Sequence, residues 1–273
     1  MKKLKFFSAA AAFLALAACS QNGPSGDNVR LATTTSVRDS GLLDALIPAY
    51  RAGSKYKIQD IAVGSGQAMQ MARNGEADLL LVHSPADEKQ FVEDGFGLAP
   101  TAFMHNDFVI VGPAEDPAGV KKTKKAHEAF AAIASKCGLF VSRSDRSGTH
   151  TKERMLWGAA DAKPVAHCYV ETGQGMAATL SVASEKKAYT LADRATYLSM
   201  KKNISLEILL EGDQTLVNVY SLILVNPARF GTVNADGARD FFNYVLSAPA
   251  KKIVDEFGVE KFGRPLFVYD YKI

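Results

Sequence analysis

The sequence predicts an α/β protein built from two similar halves, and three observations carry that expectation. Strand and helix signals alternate along the chain from Val29 onward. Glycine and hydroxyl residues repeatedly separate a strand from the helix that follows it, and this strand–polar turn–helix unit returns in the second half without a detectable sequence repeat. The 273 residues, 47% hydrophobic and 22% charged, suffice for a substantial core in one large domain or two lobes. The same composition excludes a collagen-like, disulfide-framework or wholly disordered chain.

The N-terminus reads as an address rather than as structure. Lys2, Lys3 and Lys5 precede the apolar run Phe6 to Ala18, which ends in Leu16-Ala17-Ala18-Cys19. A basic start, a short apolar stretch and small residues before a cut describe a secretory signal over residues 1–18. The run falls short of the ~20 residues a spanning helix needs. Leu-Ala-Ala-Cys resembles a bacterial lipobox, which implies that Cys19 is lipidated and opens the mature chain; a plain signal peptide containing a Cys is the alternative. Gln21 to Asn28 is polar, with Gly and Pro, so residues 19–28 form a lipidated tether.

Cleavage removes three lysines and no acid, which lowers Lys+Arg from 32 to 29, equal to Asp+Glu. A neutral mature chain carries no electrostatic footprint for nucleic acid. Lys121, Lys122, Lys124 and Lys125 form the densest basic run, after Pro117-Ala-Gly, and read as a solvated loop or helix start. Cys137 and Cys168 remain as an even pair in an oxidising compartment, and each opens a strand-like run. A disulfide and two buried thiols are both open readings.

The elements follow in order. Val29–Thr35 leans to strand, and Leu42, Leu43, Leu46, Ile47 and Tyr50 lie on one helical face. Tyr56–Val63 is a strand, Gln67–Asn74 a helix, and Asp78–Val82 a continuous apolar strand of the kind buried on both faces. Phe108–Val111 is the next strand. Gly138–Ser142, a helix at 149–160, strand Cys168–Val170 and a helix from Met176 to Ala183 repeat the unit. Tyr220–Val225 is a late strand, and Gly237–Phe257 holds the closing helices.

Four strand–helix turns carry small donors: Thr33–Ser36, Gly64–Gly66, Ser147–Thr149 and Thr172–Gly175. A helix start offers free N–H groups, hydroxyls add donors, and Gly lets the backbone approach closely, so several such turns suit a small oxyanion. Any single one of these hydroxyls is as readily a helix cap. Two α/β halves in an exported chain then imply a two-lobed binding protein with its cleft between the lobes.

These residues resemble a family, the tungstate-binding lipoproteins of bacterial ABC importers, among the type II periplasmic binding proteins. The matching stretches are Ala32–Ser36, Val63–Ala68, Ala77–His83, Asn106–Pro113, Ser142–His150, Glu171–Met176, Thr190–Arg194, Phe257-Gly and Phe262–Phe267, which span essentially the mature chain. The resemblance implies a type II fold, each lobe a mixed sheet flanked by helices. It puts lobe 1 at 29–109 and 222–273 and lobe 2 at 110–221, with crossings near Phe108–Val111 and Tyr220–Val225. It implies a monomer without cofactor that takes tungstate, and molybdate with it, from outside the cytoplasm to an ABC permease in the membrane. Carried over by position, the oxyanion set is Thr34, Thr35, Ser36, Ser65, Arg143, Ser147 and Thr149, with Thr33 in the same loop. Thr172, Thr190 and Arg194 receive structural roles, the last in an Asp193–Arg194 neighbourhood.

The chain departs from the family at Ser144, Arg146 and Ser65, where Gly, an acid or Asn, and Thr are usual. Arg143–Thr149 also resembles the loop of periplasmic phosphate-binding proteins, which makes phosphate the rival ligand. Phosphate carries a proton at neutral pH and benefits from a carboxylate acceptor such as Asp145. Tungstate needs donors alone, so with tungstate Asp145 serves to orient Arg143 or the loop.

An exported hydrolase using Ser147 and His150 is the reading of another class. It lacks a Gly-x-Ser-x-Gly elbow and a third orienting group. His83, His105, His127, His150 and His167 show no metal-ligand spacing, so no cation site is expected. Trp157 is assigned to a core.

Overall fold

The computed structural model describes residues 26–270. The expected signal peptide, Cys19 and the tether before Gly26 lie outside the described residues. The first part of the chain runs β1 (Asn28–Thr34), α1 (Thr35–Ser40), α2 (Leu42–Arg51), β2 (Lys57–Val63), α3 (Ser65–Arg73), β3 (Leu79–Val82), α4 (Pro85–Glu93) and β4 (Thr101–Gly112). There follow α5 (Ala126–Ser135), β5 (Phe140–Ser142), α6 (Gly148–Ala159), β6 (Tyr169–Glu171), α7 (Met176–Glu185), β7 (Thr190–Asp193), α8 (Arg194–Met200) and β8 (Glu207–Leu210). The chain closes with β9 (Val217–Leu224), α9 (Ala235–Val245), α10 (Ala248–Glu256), α11 (Val259–Phe262) and β10 (Val268–Tyr269).

Six strands form a mixed sheet in the order β10-β4-β9-β3-β1-β2. β1 runs parallel to β2 and β3, while β3–β9, β9–β4 and β4–β10 are antiparallel. All four residues of β3 are buried. Leu79 and Leu81 enter a core with Leu42 and Leu46 of α2 and Phe241 of α9; Leu80 and Val82 enter the opposite core with Met69 of α3 and Phe91 of α4. A strand covered on both faces needs an apolar residue at every position, which explains the continuous run. Asp78, fully buried just before β3, accepts from Arg30 Nε at 3.2 Å and Nη2 at 2.6 Å, pinning β1 to β3.

β4 joins the two lobes. Its Thr101–Asp107 stretch pairs with β9 in the first sheet, whereas Phe108–Val111 pairs with β7, and Gly112 with β8. Phe108 and Ile110 pack with Phe130, Phe140 and Trp157; Val109 and Val111 pack with Met176 and Leu180 on the other face. The same two-faced logic therefore builds the second lobe, and Trp157 lies in its core. β5 and β6 pair in parallel and approach β7 through a Phe140–Tyr189 bridge.

Several elements depart from the sequence expectation. β4 begins seven residues before Phe108, because His105, Asn106 and Asp107 interrupt the apolar pattern while keeping extended pairing. β9 likewise begins at Val217: Asn218 is polar but buried, and Val217–Tyr220 already pair with β4 in the first sheet. The return between lobes thus precedes Val217, and residues 217–221, assigned by the expectation to lobe 2, hydrogen-bond with lobe 1. The segment Thr35–Ser40, read as the end of a strand and a loop, is the short helix α1.

One tie crosses the junction between the lobes, and a second lies within lobe 2. Arg194, at the start of α8, donates to Asp107 through Nε at 2.7 Å and through Nη2, and its Nη1 lies 2.5 Å from Glu211. Cys137, just after α5, and Cys168, just before β6, form a disulfide with Cα atoms 5.6 Å apart.

Candidate functional site

Strand ends and helix starts from both lobes meet at one seam. From lobe 1 come the β1–α1 junction at Thr34–Ser36, the β2–α3 junction at Gly64–Gly66, and His83 just after β3. From lobe 2 comes the β5–α6 loop, Arg143–Thr149. An added Cβ on Gly64 would lie 3.8 Å from both Asp145 O and Ser147 Cα, and one on Gly66 would lie 3.7 Å from Arg146 O. Gly148 is closer still, since a Cβ there would meet His83 Cε1 at only 2.6 Å. The lobes are therefore shut on each other at the helix starts.

Arg143 spans the seam. Although long and cationic it is only 3% exposed. Its Nε and Nη2 donate to Asp145 Oδ2 at 3.1 and 2.5 Å. Nη2 also reaches Thr35 Oγ1 of lobe 1 and Nη1 reaches Thr149 Oγ1, both at 3.5 Å. Asp145 Oδ1 accepts the Ser147 N–H at 3.1 Å, so both carboxylate oxygens are used in shaping the loop.

The hydroxyls have unequal positions. Ser147 caps α6, its Oγ accepting from His150 N–H at 3.3 Å. Ser65 Oγ is buried and has no hydrogen-bond partner. Thr34 Oγ1 and Ser36 Oγ lie 3.1 Å apart. Thr149, Thr35 and Ser147 accept within the protein, and each keeps its own proton to donate. The expected seven residues are thus brought to one place, and six of them are buried while Thr35 is partly exposed. Thr33 instead donates to Leu81 O at 3.0 Å, Thr190 to Val141 O at 2.7 Å, and Thr172 to Ser142 O at 3.1 Å, all structural bonds.

Behind this lining stands a polar network that sequence patterns do not single out. His83 Nε2 lies 3.4 Å from Ser36 Oγ, and its Nδ1 lies 2.9 Å from Asn218 Oδ1. Asn218 Nδ2 donates to Asn106 Oδ1 at 2.8 Å and to the Tyr220 hydroxyl at 3.0 Å. Burial, with the nearby Arg143 and Lys152 cations, lowers the His83 pKa to about 4, against the hydrogen bond to Asn218. Asp193, the cap of α8, accepts from Thr196 N–H and Oγ1 through Oδ1, while its buried Oδ2 has no partner; burial raises its pKa. The sequence signal for these residues is a polar side chain inside a strand-like run.

The residues of the rival chemistries are otherwise engaged. His150 Nδ1 accepts the Arg146 N–H at 3.1 Å, so its imidazole is turned toward the loop backbone and Ser147 serves as a cap. Cys137, His167 and Cys168 cluster, with ligand-type atoms within 4.8 Å of one another, but both sulfurs are spent in the disulfide. No helix among the described residues is long and apolar enough to cross a membrane.

Residues 20–249 match the PBP superfamily domain. A tungstate-binding protein, TupA, of Peptoclostridium acidaminophilum is 43% identical, with 98% of each chain covered. The solved structure of the tungstate ABC transporter from Geobacter sulfurreducens is 44% identical with a TM-score of 0.78, covering 85% of this chain and 99% of that one. The tungstate-binding protein TupA of Desulfovibrio alaskensis, also 44% identical, superposes with a TM-score of 0.77 over 90% of this chain and 99% of its own. By sequence over nearly its full length and by fold, the chain belongs to the PBP superfamily, in the family of the TupA proteins.

Proposed function

We propose that the protein is an extracytoplasmic substrate-binding protein that captures tungstate, with molybdate as a second ligand, and delivers it to an ABC permease. The observation that carries this reading is the donor-rich character of the seam: a buried guanidinium, hydroxyls from both lobes and the unpartnered Ser65 Oγ converge at the starts of α3 and α6. Such a lining suits an anion that has no proton to give. The TupA relatives supply its identity.

In this reading Arg143 is the cationic donor, and Thr34, Thr35, Ser36, Ser65, Ser147 and Thr149 supply hydroxyl or helix-start donors. Because they come from both lobes, bound oxyanion favours the closed arrangement through a hinge at β4 and β9. Asp145 orients Arg143. Its Oδ2 takes both guanidinium bonds and Oδ1 takes the Ser147 N–H, so the carboxylate is committed to the loop, which favours a ligand that needs donors over protonated phosphate. Sulfate is discriminated by the width of the donor ring. The chain works as a monomer without cofactor, anchored by lipid on Cys19 after removal of residues 1–18, in the periplasm or at the cell exterior.

A thermal-shift panel with tungstate, molybdate, sulfate and phosphate at equal concentration tests the reading. A ligand at ~1,000 times its dissociation constant stabilises the native state by ~4 kcal/mol. Tungstate, alone or with molybdate, is expected to shift the midpoint. A shift with phosphate alone, or with none of the four, would overturn it.

A further inference from the structure

The hydrogen-bond directions behind the seam determine where its protons lie. Asn218 turns its Nδ2 toward Asn106 and Tyr220, so its Oδ1 faces His83 Nδ1 and that nitrogen carries a proton. The ring is 5% exposed, and Tyr220 stacks against it with centroids 4.8 Å apart. In its neutral form Nε2 is therefore bare and accepts the Ser36 hydroxyl proton across 3.4 Å. Thr34 then donates to Ser36. Two hydroxyls of the β1–α1 junction thus have their protons drawn into an internal chain instead of toward a ligand.

An oxyanion reverses this demand. To donate to it, Ser36 must withdraw its proton from His83, which strands a buried acceptor nitrogen. The charges make the same point. Arg143 is the guanidinium that touches the lining, and Asp145 already pairs with it, while burial of nearby Asp193 favours its protonated, uncharged form. A dianion entering a buried site whose touching guanidinium is already paired draws further positive charge.

Resting on the oxyanion reading above, we propose that capture of the dianion is coupled to uptake of one proton by His83, whose Nε2–H then donates to Ser36 while Ser36 donates to the anion. The proton comes from solvent, Nδ1 keeps its bond to Asn218, and one imidazolium is formed per ion bound. The groups facing the ring are Ser36 from α1, Asn218 and Tyr220 from β9, Phe108 from β4, Gly148 and Lys152 from α6, and Arg143 from the loop before it. Burial first, and the Arg143 and Lys152 cations after it, keep the ring neutral before the anion arrives, and the dianion offsets those cations. His83 is thereby a positioning residue that makes tungstate affinity depend on pH.

Calorimetric titration of the purified protein with sodium tungstate, in buffers of different ionisation enthalpy, counts the protons. The expected result is uptake of about one proton per ion near neutral pH, with affinity falling toward tenfold per unit as pH rises from about 6 to about 8. His83→Gln, checked for folding by thermal unfolding, should bind with no proton uptake and with flat pH dependence. Asn218→Asp places a carboxylate on Nδ1–H and charges the ring before ligand arrives, so it too should bind without uptake at neutral pH. Binding without proton uptake in the unaltered protein would overturn the inference and leave the functional reading standing. Uptake that persists in His83→Gln but vanishes in Asp193→Asn would overturn the assignment to His83 and move the proton to the buried carboxylate. An absence of tungstate binding would overturn the functional reading and this inference together.

Discussion

Asp145 holds Arg143 and its loop at once: Oδ2 takes two guanidinium bonds, at 3.1 and 2.5 Å, and Oδ1 takes the Ser147 N–H at 3.1 Å. The arginine is therefore aimed before ligand arrives, with Nη1 and Nη2 toward Thr149 and Thr35. A pre-aimed cationic donor loses little conformational entropy on binding. Arg143→Ala is expected to weaken tungstate binding by about 100-fold, the worth of two charge-assisted bonds, with the fold retained. Calorimetry with a parallel unfolding curve checks both halves of that statement.

Asp145→Asn separates the two oxyanions. The amide still accepts the Ser147 N–H but no longer pairs with the guanidinium. Tungstate affinity should change by less than about tenfold, because the lost orientation is offset by removing a negative charge beside the anion. A site for protonated phosphate would instead lose its acceptor and more than about 100-fold in affinity. Competition between the two anions, measured for both forms of the protein, distinguishes these outcomes.

Ser65 gives a prediction of opposite signs. Its buried Oγ has no partner, a state that costs about 1–3 kcal/mol. Ser65→Ala should leave the ligand-free protein as stable as before or more so, yet weaken tungstate binding by about tenfold. A purely structural hydroxyl would lower stability and spare affinity. Unfolding midpoints with and without tungstate read both.

How much of this was legible in the sequence depended on where polar residues fall. Leu79–Val82 announces a doubly covered strand because every residue is apolar, and the glycine and hydroxyl turns announce helix starts. The same logic hid the seam's inner network. Asn106, Asn218 and His83 satisfy one another inside β4, β9 and the end of β3, and each partner lies far away in sequence. No local period encodes such a network. The strands were shortened for the same reason, since a buried polar residue reads as a strand's end. The family resemblance named these residues, but it did not show that both oxygens of Asp145 are engaged within the loop or that Ser65 is unpaired.

Gly148 begins α6 against His83, and its added Cβ would meet Cε1 at 2.6 Å and Nδ1 at 2.7 Å. The His83 ring cannot move aside without breaking its bond to Asn218. Gly148→Ala should therefore hold the lobes apart at this point and cost tungstate about 100-fold or more in affinity, with each lobe's core untouched. Small-angle scattering in the presence of tungstate should show the variant more extended than the parent. Unchanged affinity would mean that the seam tolerates opening here.

The disulfide is expected to act on stability and to spare binding. It closes a 31-residue separation between the end of α5 and the start of β6, and neither cysteine belongs to the proposed oxyanion lining. Closure of a loop of that length is worth about 4 kcal/mol in the chain-entropy description. Cys137→Ser with Cys168→Ser should lower the denaturant midpoint accordingly and leave tungstate affinity within about twofold. A large affinity loss would show that the loop order behind Ser142–Arg143 depends on the bridge.

The last prediction concerns acid. The folded protein holds His83 neutral down to about pH 4, whereas an unfolded histidine takes up its proton near 6.5. Between those values the unfolded chain binds more protons, so stability falls as pH is lowered through that window, by about 3 kcal/mol from this group. Buried Glu88, Glu153 and Asp193 have raised pKa values and act with the opposite sign, because the folded state keeps their protons to higher pH. Their contributions cancel when the difference between parent and His83→Gln is taken. That difference in unfolding free energy should narrow as pH falls from about 7 to about 4. Saturating tungstate should flatten it, since the ring that acid would protonate already carries its proton in the complex.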